Sequence, residues 1–151
     1  MMRVHKLLAT GLGIGYIGKG SGTIASLATS IVWHFVMERT SGFWGAIVLL
    51  LVVTAYGIWA SSELEQCWGK DSNKIVIDEV AGTGVALLFV PVQLKYIAAG
   101  FVLFRFFDIA KPLLIRKMEK LPKGWGVMAD DLLAGLYANI VLQLIVHFQL
   151  W

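Results

Sequence analysis

From Thr40 to Ser62 the chain carries no charged residue, and the heart of that stretch, Phe43 to Ala60, reads FWGAIVLLLVVTAYGIWA. A helix needs about 20 apolar residues, within a range of about 17–25, to cross the hydrocarbon core of a bilayer. The run is long enough, and it predicts a membrane-spanning helix. The remainder of the 151 residues is too apolar to hide it: 58% of the chain is hydrophobic and 15% charged, where soluble domains carry about 25% charged residues. Small domains keep a large surface relative to their volume, so part of this surface must face lipid. The same apolar content excludes disorder, and a lone Cys67 excludes a disulfide scaffold.

A second uncharged run, Leu132 to Trp151, predicts another spanning helix. Three shorter apolar segments lie at Gly20–Met37, Val80–Leu94 and Tyr96–Phe107, the last containing Arg105. The expected fold is therefore all-α, a polytopic membrane helical bundle of about four to five membrane helices forming one domain over residues 1–151. Loops are expected on the cytoplasmic face, with a short amphipathic interfacial helix at Leu113–Leu121, where Pro112 fits the first turn and Leu114, Met118 and Leu121 form a stripe. The N-terminal segment is expected to be retained, because Met1 to Lys6 leads into the glycine-rich GLGIGYIGKGSGT rather than a compact apolar region with a cleavage site.

If all five segments cross, one face receives Arg3, Lys6, Lys19, Lys70, Lys74, Lys111, Arg116, Lys117, Lys120 and Lys123, and the other only Arg39 and Lys95. The positive-inside rule makes the first face cytoplasmic. The acids follow: Glu63, Glu65, Asp71, Asp78, Glu79, Asp108, Glu119, Asp130 and Asp131 share that face, and Glu38 alone lies opposite. A face rich in both signs suits anionic headgroups and phosphates; no nucleic-acid partner is expected.

Asp78, Glu79, Asp108, Asp130 and Asp131 each stand within about a turn of an apolar segment, which brings three acidic groups to one depth. Carboxylates near hydrocarbon are costly without a counter-charge. Mg²⁺ is the natural one, since it takes oxygen ligands and completes its shell with substrate phosphates. His5, His34 and His147 are scattered, and no His or Cys pair has zinc spacing. Arg105 and Asp108 are three apart and share a helical face. Two roles fit them: a private ion pair, or a phosphate held by Arg105 and Lys111 against metal on Asp108.

Two glycine motifs fail on context. Gly13-Ile-Gly15-Tyr-Ile-Gly18 matches a dinucleotide fingerprint but lacks its strand–turn–helix unit, and the P-loop-like Gly13–Lys19 has Gly20 where Ser or Thr belongs. What remains is Lys19-Gly-Ser-Gly-Thr23, with Ser21 or Thr23 as a possible helix cap and backbone N–H groups open to an anion. A cysteine phosphatase loop starting at Cys67 would need Arg at 73, and the residue is Asn73.

Taken together, IVIDEVAG (Ile75 to Gly82), FRFFDIAKP (Phe104 to Pro112) and GWGVMADDLLAG (Gly124 to Gly135), preceded by GTIAS (Gly22 to Ser26), resemble the phosphatidylglycerophosphatase A family in order and spacing. Ser21, Ala25 and Leu114 depart from the family's usual Pro, Gly and Pro. The resemblance implies a Mg²⁺-dependent phosphatase of the bacterial cytoplasmic (inner) membrane that converts phosphatidylglycerophosphate to phosphatidylglycerol and inorganic phosphate. It carries over Asp78, Asp108, Asp131, Arg105 and Lys111 as catalytic candidates. Metal candidates are Asp78, Glu79, Asp108, Asp130 and Asp131, and substrate contacts are expected from Lys19, Gly22, Thr23, Arg105 and Lys111. Two other classes compete: a small membrane cation transporter subunit, whose acids should lie near mid-bilayer, and a CDP-alcohol-type phosphotransferase, whose Asp-x-x-Asp-Gly motif is absent.

Overall fold

A computed structural model describes residues 2–39, 42–69 and 72–150. Thr40, Lys70, Asp71 and Trp151, which enter the sequence-based segments and charge count, lie outside the described residues. Among those described, the chain is all-helical: α1 Met2–Ala9, α2 Ser21–Arg39, α3 Trp44–Trp68, α4 Ile77–Leu87, α5 Leu94–Ala110, α6 Ile115–Met118 and α7 Gly124–His147, with a 3-10 turn at Ile14–Ile17.

The helices α2, α3, α4, α5 and α7 run between two ends of a bundle. At one end Gly22 of α2 meets Glu79 of α4 and Arg105 of α5, and Gly124 of α7 abuts Ile58 and Ser62 of α3. At the other, Trp33, Ala46, Leu87, Ile97 and Leu142 pack into one apolar cluster. The centre is the pair α4 and α7, whose backbones come close because neither side presents a side chain. A Cβ on Gly135 would collide with the Gly82 carbonyl, and one on Gly82 would lie 2.6 Å from the Asp131 carbonyl oxygen. Glycine is required by this approach.

The sequence expectation of four to five membrane helices meets a shorter set. Among the described residues two helices, α3 with 25 residues and α7 with 24, are long and apolar enough to cross a membrane. Their outward faces agree, since Leu51 is 65% and Ile140 50% exposed. The Gly20–Met37 segment is α2, whose apolar content is diluted by Ser26, Thr29, Ser30 and His34. The Tyr96–Phe107 segment is the 17-residue α5. The Val80–Leu94 segment is helical only to Leu87, because α4 has 11 residues. Beyond it the chain runs without regular structure through Pro91 to Gln93. The freed carbonyls are met from α7: Asn139 Nδ2 donates to the oxygens of Ala86 (3.0 Å) and Leu88 (2.8 Å), and Gln143 Nε2 to Leu88 (3.3 Å). Backbone groups in an apolar interior need such partners.

The interfacial helix is also shorter than expected, a single turn at Ile115–Met118. Its anchor is Ile115, which is fully buried, while Leu114 and Leu121 of the expected stripe point outward.

Candidate active site

At the end of the bundle where α4 and α7 begin and α5 finishes, the acidic groups converge. The Val76 N–H donates to the Ala9 carbonyl oxygen at 2.9 Å, fixing the entry to α4. Asp78 and Glu79 follow in its first turn, where partial positive charge favours carboxylates. On α7, Asp130 and Asp131 are 5% and 4% exposed.

One carboxylate oxygen each from Asp78, Glu79 and Asp131 lies within 4.8 Å of the other two. Their second feature is a deficit. Asp78 Oδ1, Glu79 Oε2 and Asp131 Oδ2 are buried with no hydrogen-bond partner. Buried polar atoms are normally satisfied, and three carboxylates at this separation repel unless a cation joins them. All-oxygen donors with orphaned lone pairs fit a hard divalent ion such as Mg²⁺.

The remaining acids are matched to cations. Arg105 Nη1 donates to Asp108 Oδ2 at 2.6 Å, so the spacing of three does place them on one face. Arg105 Nε is buried and has no partner. Lys111, in the left-handed conformation that closes α5 (φ 45), donates through Nζ to Asp130 Oδ2 and Glu119 Oε1, each at 2.6 Å. Burial disfavours its charge, but the hydrogen bonds and charges of Asp130 and Glu119 outweigh that and hold Lys111 above the usual lysine range.

These groups enclose a polar cavity of about 190 Å³ lined by Asp78, Glu79, Asp108, Lys111, Asp130 and Asp131, with Ser72, Asn73 and Glu119 at its margin. Gly22 and Arg105 do not line it but stand behind Glu79: a Cβ on Gly22 would fall on the Glu79 carboxylate and lie 3.3 Å from Arg105 Nη1.

The other N-terminal candidates are placed elsewhere. Lys19 and Thr23 are exposed, and neither lines the cavity. Neither Ser21 nor Thr23 caps α2, since both lie inside it; Ser21 Oγ instead donates to the Asn73 carbonyl at 3.0 Å, tying α2 to the cavity's rim. Lys111, read as a phosphate ligand, is shared by two carboxylates. Glu119 was visible only as one of the inner-face acids. Eight residues separate it from Lys111, and only the turn through α6 joins them.

Fold and site together define a class: an all-helical, lipid-compatible protein with a carboxylate triad beside an arginine at one end of its bundle. Residues 7–146 match the family model for phosphatidylglycerophosphatase A, and the chain belongs to that family. It is 43% identical over 142 residues to a Bacteroides thetaiotaomicron protein named "Putative phosphatidylinositol-3-phosphatase", covering 90% of this chain and 89% of that one. It is 37% identical over 151 residues to phosphatidylglycerophosphatase A of Haemophilus influenzae (95% and 90% covered). With the Escherichia coli protein of the same name it shares 32% over 144 residues (93% and 83%). No solved structure matches the chain significantly.

Proposed function

We propose that this chain hydrolyses the terminal phosphomonoester of phosphatidylglycerophosphate at the cytoplasmic face of a bacterial inner membrane, with Mg²⁺ as cofactor. The observation that carries the reading is the convergence of Asp78, Glu79 and Asp131 within 4.8 Å of one another, each with a buried, unpartnered oxygen. Asp78, Glu79 and Asp131 would hold the ion, which when bound supplies Lewis-acid polarisation of the phosphoryl group.

The chain's own groups do the rest. Arg105 stands behind the lining residues, spends one Nη on Asp108 with Nε buried and unsatisfied, and would turn its guanidinium to a phosphate oxygen. Such a donor acts where charge accumulates in phosphoryl transfer. Asp108 lines the cavity outside the carboxylate triad, which makes it the group to take a proton from the attacking water. Asp130 and Glu119 restrain Lys111, so its ammonium acts as a fixed charge at the cavity wall.

In this reading five segments cross. The 11-residue α4 covers about 16 Å at 1.5 Å per residue, about half of a core of about 30 Å, and the irregular Leu88–Gln93, which turns at Leu88 and Phe89, carries the chain on to α5. The basic excess at the site end orients that end inward. The transporter alternative fits worse, because the acids sit at one end of the bundle beside Arg105 and Lys111 rather than along its length.

A second reading keeps the chemistry and changes the headgroup to an inositol lipid 3-phosphate, as the name of the Bacteroides relative suggests. Purified full chain in detergent, offered each lipid with Mg²⁺ or with EDTA, decides by phosphate release. Mg²⁺-dependent release from phosphatidylglycerophosphate is expected. Folded protein that releases none would overturn the first reading, and release from the inositol lipid alone would establish the second.

A further inference from the structure

Helices α2 and α3 both pack on α4 but barely touch each other. Between them lies an apolar cleft of about 500 Å³, walled by Ala28, Val32 and Val36 of α2 and by Gly45, Leu49 and Val53 of α3, with Val80 and Gly84 of α4 as its floor. No charged residue lines it. The hydroxyl of its Thr29 is already spent on the Ala25 carbonyl at 2.8 Å.

The cleft opens sideways, since Val32 is 59% and Leu49 58% exposed, and α3 is one of the two helices able to cross a membrane. Its inner end adjoins the site: Val80 follows Glu79, and Ala25 stands three residues from Gly22 on α2. The loop closing that end, Gly11 to Ile14, leads into Gly15, which packs against the Lys74 backbone. The ammonium groups of Lys74 and Lys6 both stand over the Trp68 ring, at 5.4 and 5.5 Å from its centroid. Neither forms an ion pair with a described residue. An uncharged slot whose site-end loop packs against Lys74, with Lys6 over the same Trp68 ring, complements an anionic phospholipid, chain first and phosphate last.

We propose that this cleft holds one acyl chain of the phospholipid substrate, with Lys6 and Lys74 facing its phosphodiester and the carboxylate site its terminal phosphate. The inference rests on the lipid-phosphatase reading above. The length of the cleft suits an acyl chain. From Ala25 to Met37 the slot runs about 18 Å at 1.5 Å per residue, close to the roughly 15 Å depth of one leaflet, half of a core of about 30 Å. Since lipid tails are as apolar as the walls, the cleft contributes orientation of the headgroup rather than burial.

Two measurements on the full chain test this. In phosphatidylcholine vesicles, phosphatidylglycerophosphate with a mid-chain diazirine should label α2 and α3 along the cleft about tenfold more than the exposed Leu136, Ile140 and Leu144 of α7, a preference of about 1.4 kcal/mol. Unlabelled substrate should compete. Equal labelling of all outward faces overturns the proposal, as does a cleft left unlabelled because a second copy fills it. In the second, Ala28→Trp should lower the ratio of kcat/KM for dihexadecanoyl over dihexanoyl substrate about tenfold, again about 1.4 kcal/mol. A ratio like that of the unaltered chain overturns it. Failure of the unaltered chain to release phosphate from either lipid would strike the phosphatase reading, and the labelling pattern would still judge the cleft.

Discussion

Gly22 and Glu79 touch where no side chain can intervene: a β-carbon on Gly22 would overlap the Glu79 carboxylate and sit 2.9 Å from its Cδ. The N-terminal Gly-Thr motif therefore acts through the space its glycine leaves. Alanine is the better helix former by about 1 kcal/mol, so Gly22→Ala should not unfold α2. It should push Glu79 out of the triad, and displacement of about 1 Å can cost about 10²-fold. A kcat loss of that order with unchanged helical circular dichroism is expected; full activity would show that Glu79 is not needed where it stands.

The triad also predicts opposite effects of one substitution with and without metal. Asp131→Asn relieves repulsion among Asp78, Glu79 and Asp131, so without metal the variant should melt above the unaltered chain. Mg²⁺ at about 100 times its Kd stabilises a protein that binds it by about 2.7 kcal/mol, a rise of roughly 5–10 °C for a chain of this size. The unaltered chain should gain that rise and Asp131→Asn should not. Thermal unfolding in detergent, with Mg²⁺ or EDTA, reads both.

Lys111 should matter more for stability than either acid alone suggests. Its partner Asp130 is 7% exposed at the side chain and Glu119 41%. Lys111→Met strands a buried carboxylate, a loss of about 3–5 kcal/mol, whereas Glu119→Gln removes a half-exposed pair worth about 1 kcal/mol or less. Adding Asp130→Asn to Lys111→Met should recover much of the loss. Because the folded state holds Lys111 above the ordinary lysine value, its contribution is complete below about pH 10.4 and declines as pH rises through the higher folded value. The Lys111→Met penalty should thus be flat from pH 7 to 9; a penalty that changes across that window would point to another titrating group.

The acids of this site were legible because they punctuate apolar runs, and charge at such positions needs a reason. Their division of labour was not. Asp130 and Asp131 are adjacent, yet one serves Lys111 and the other the triad, since neighbouring helical residues diverge by about 100° and only the packing of α4 and α5 on α7 says what each meets. Lys19 and Thr23 were drawn in by the glycine-rich context, but it is the bare backbone of Gly22 that stands against Glu79. The true end of α4 was hidden for a similar reason. Apolar residues continue past Leu87, and the side chains that satisfy the break, Asn139 and Gln143, lie more than 50 residues away.

That break supplies a further prediction. Asn139 Nδ2 serves the carbonyls of Ala86 in α4 and of Leu88 just past its end, at 3.0 and 2.8 Å, and Asn139→Leu leaves the first bare and the second with only the 3.3 Å bond from Gln143. An unsatisfied buried group costs about 1–3 kcal/mol, which lowers the melting temperature by roughly 2–12 °C at about 2–4 °C per kcal/mol. Asn139→Asp, which cannot donate when ionised, should be at least as harmful. A variant melting with the unaltered chain would mean that the loop finds other donors.

Topology is the last expectation to be tested, and its arms must separate crossing from orientation. The exposed Cys67 is first replaced by Ser, since it would react at the site end. Single cysteines are then placed at Lys120, beside the site, and at Lys95, in the first turn of α5 at the far end. In intact cells an impermeant maleimide should label the Lys95 position directly, and the Lys120 position only after the membrane is opened. The excess of Lys and Arg at the site end predicts that order. Labelling of both positions from outside would mean that α5, with its 17 residues, does not cross, and the reverse order would place the phosphatase site on the outer face, against the charge asymmetry.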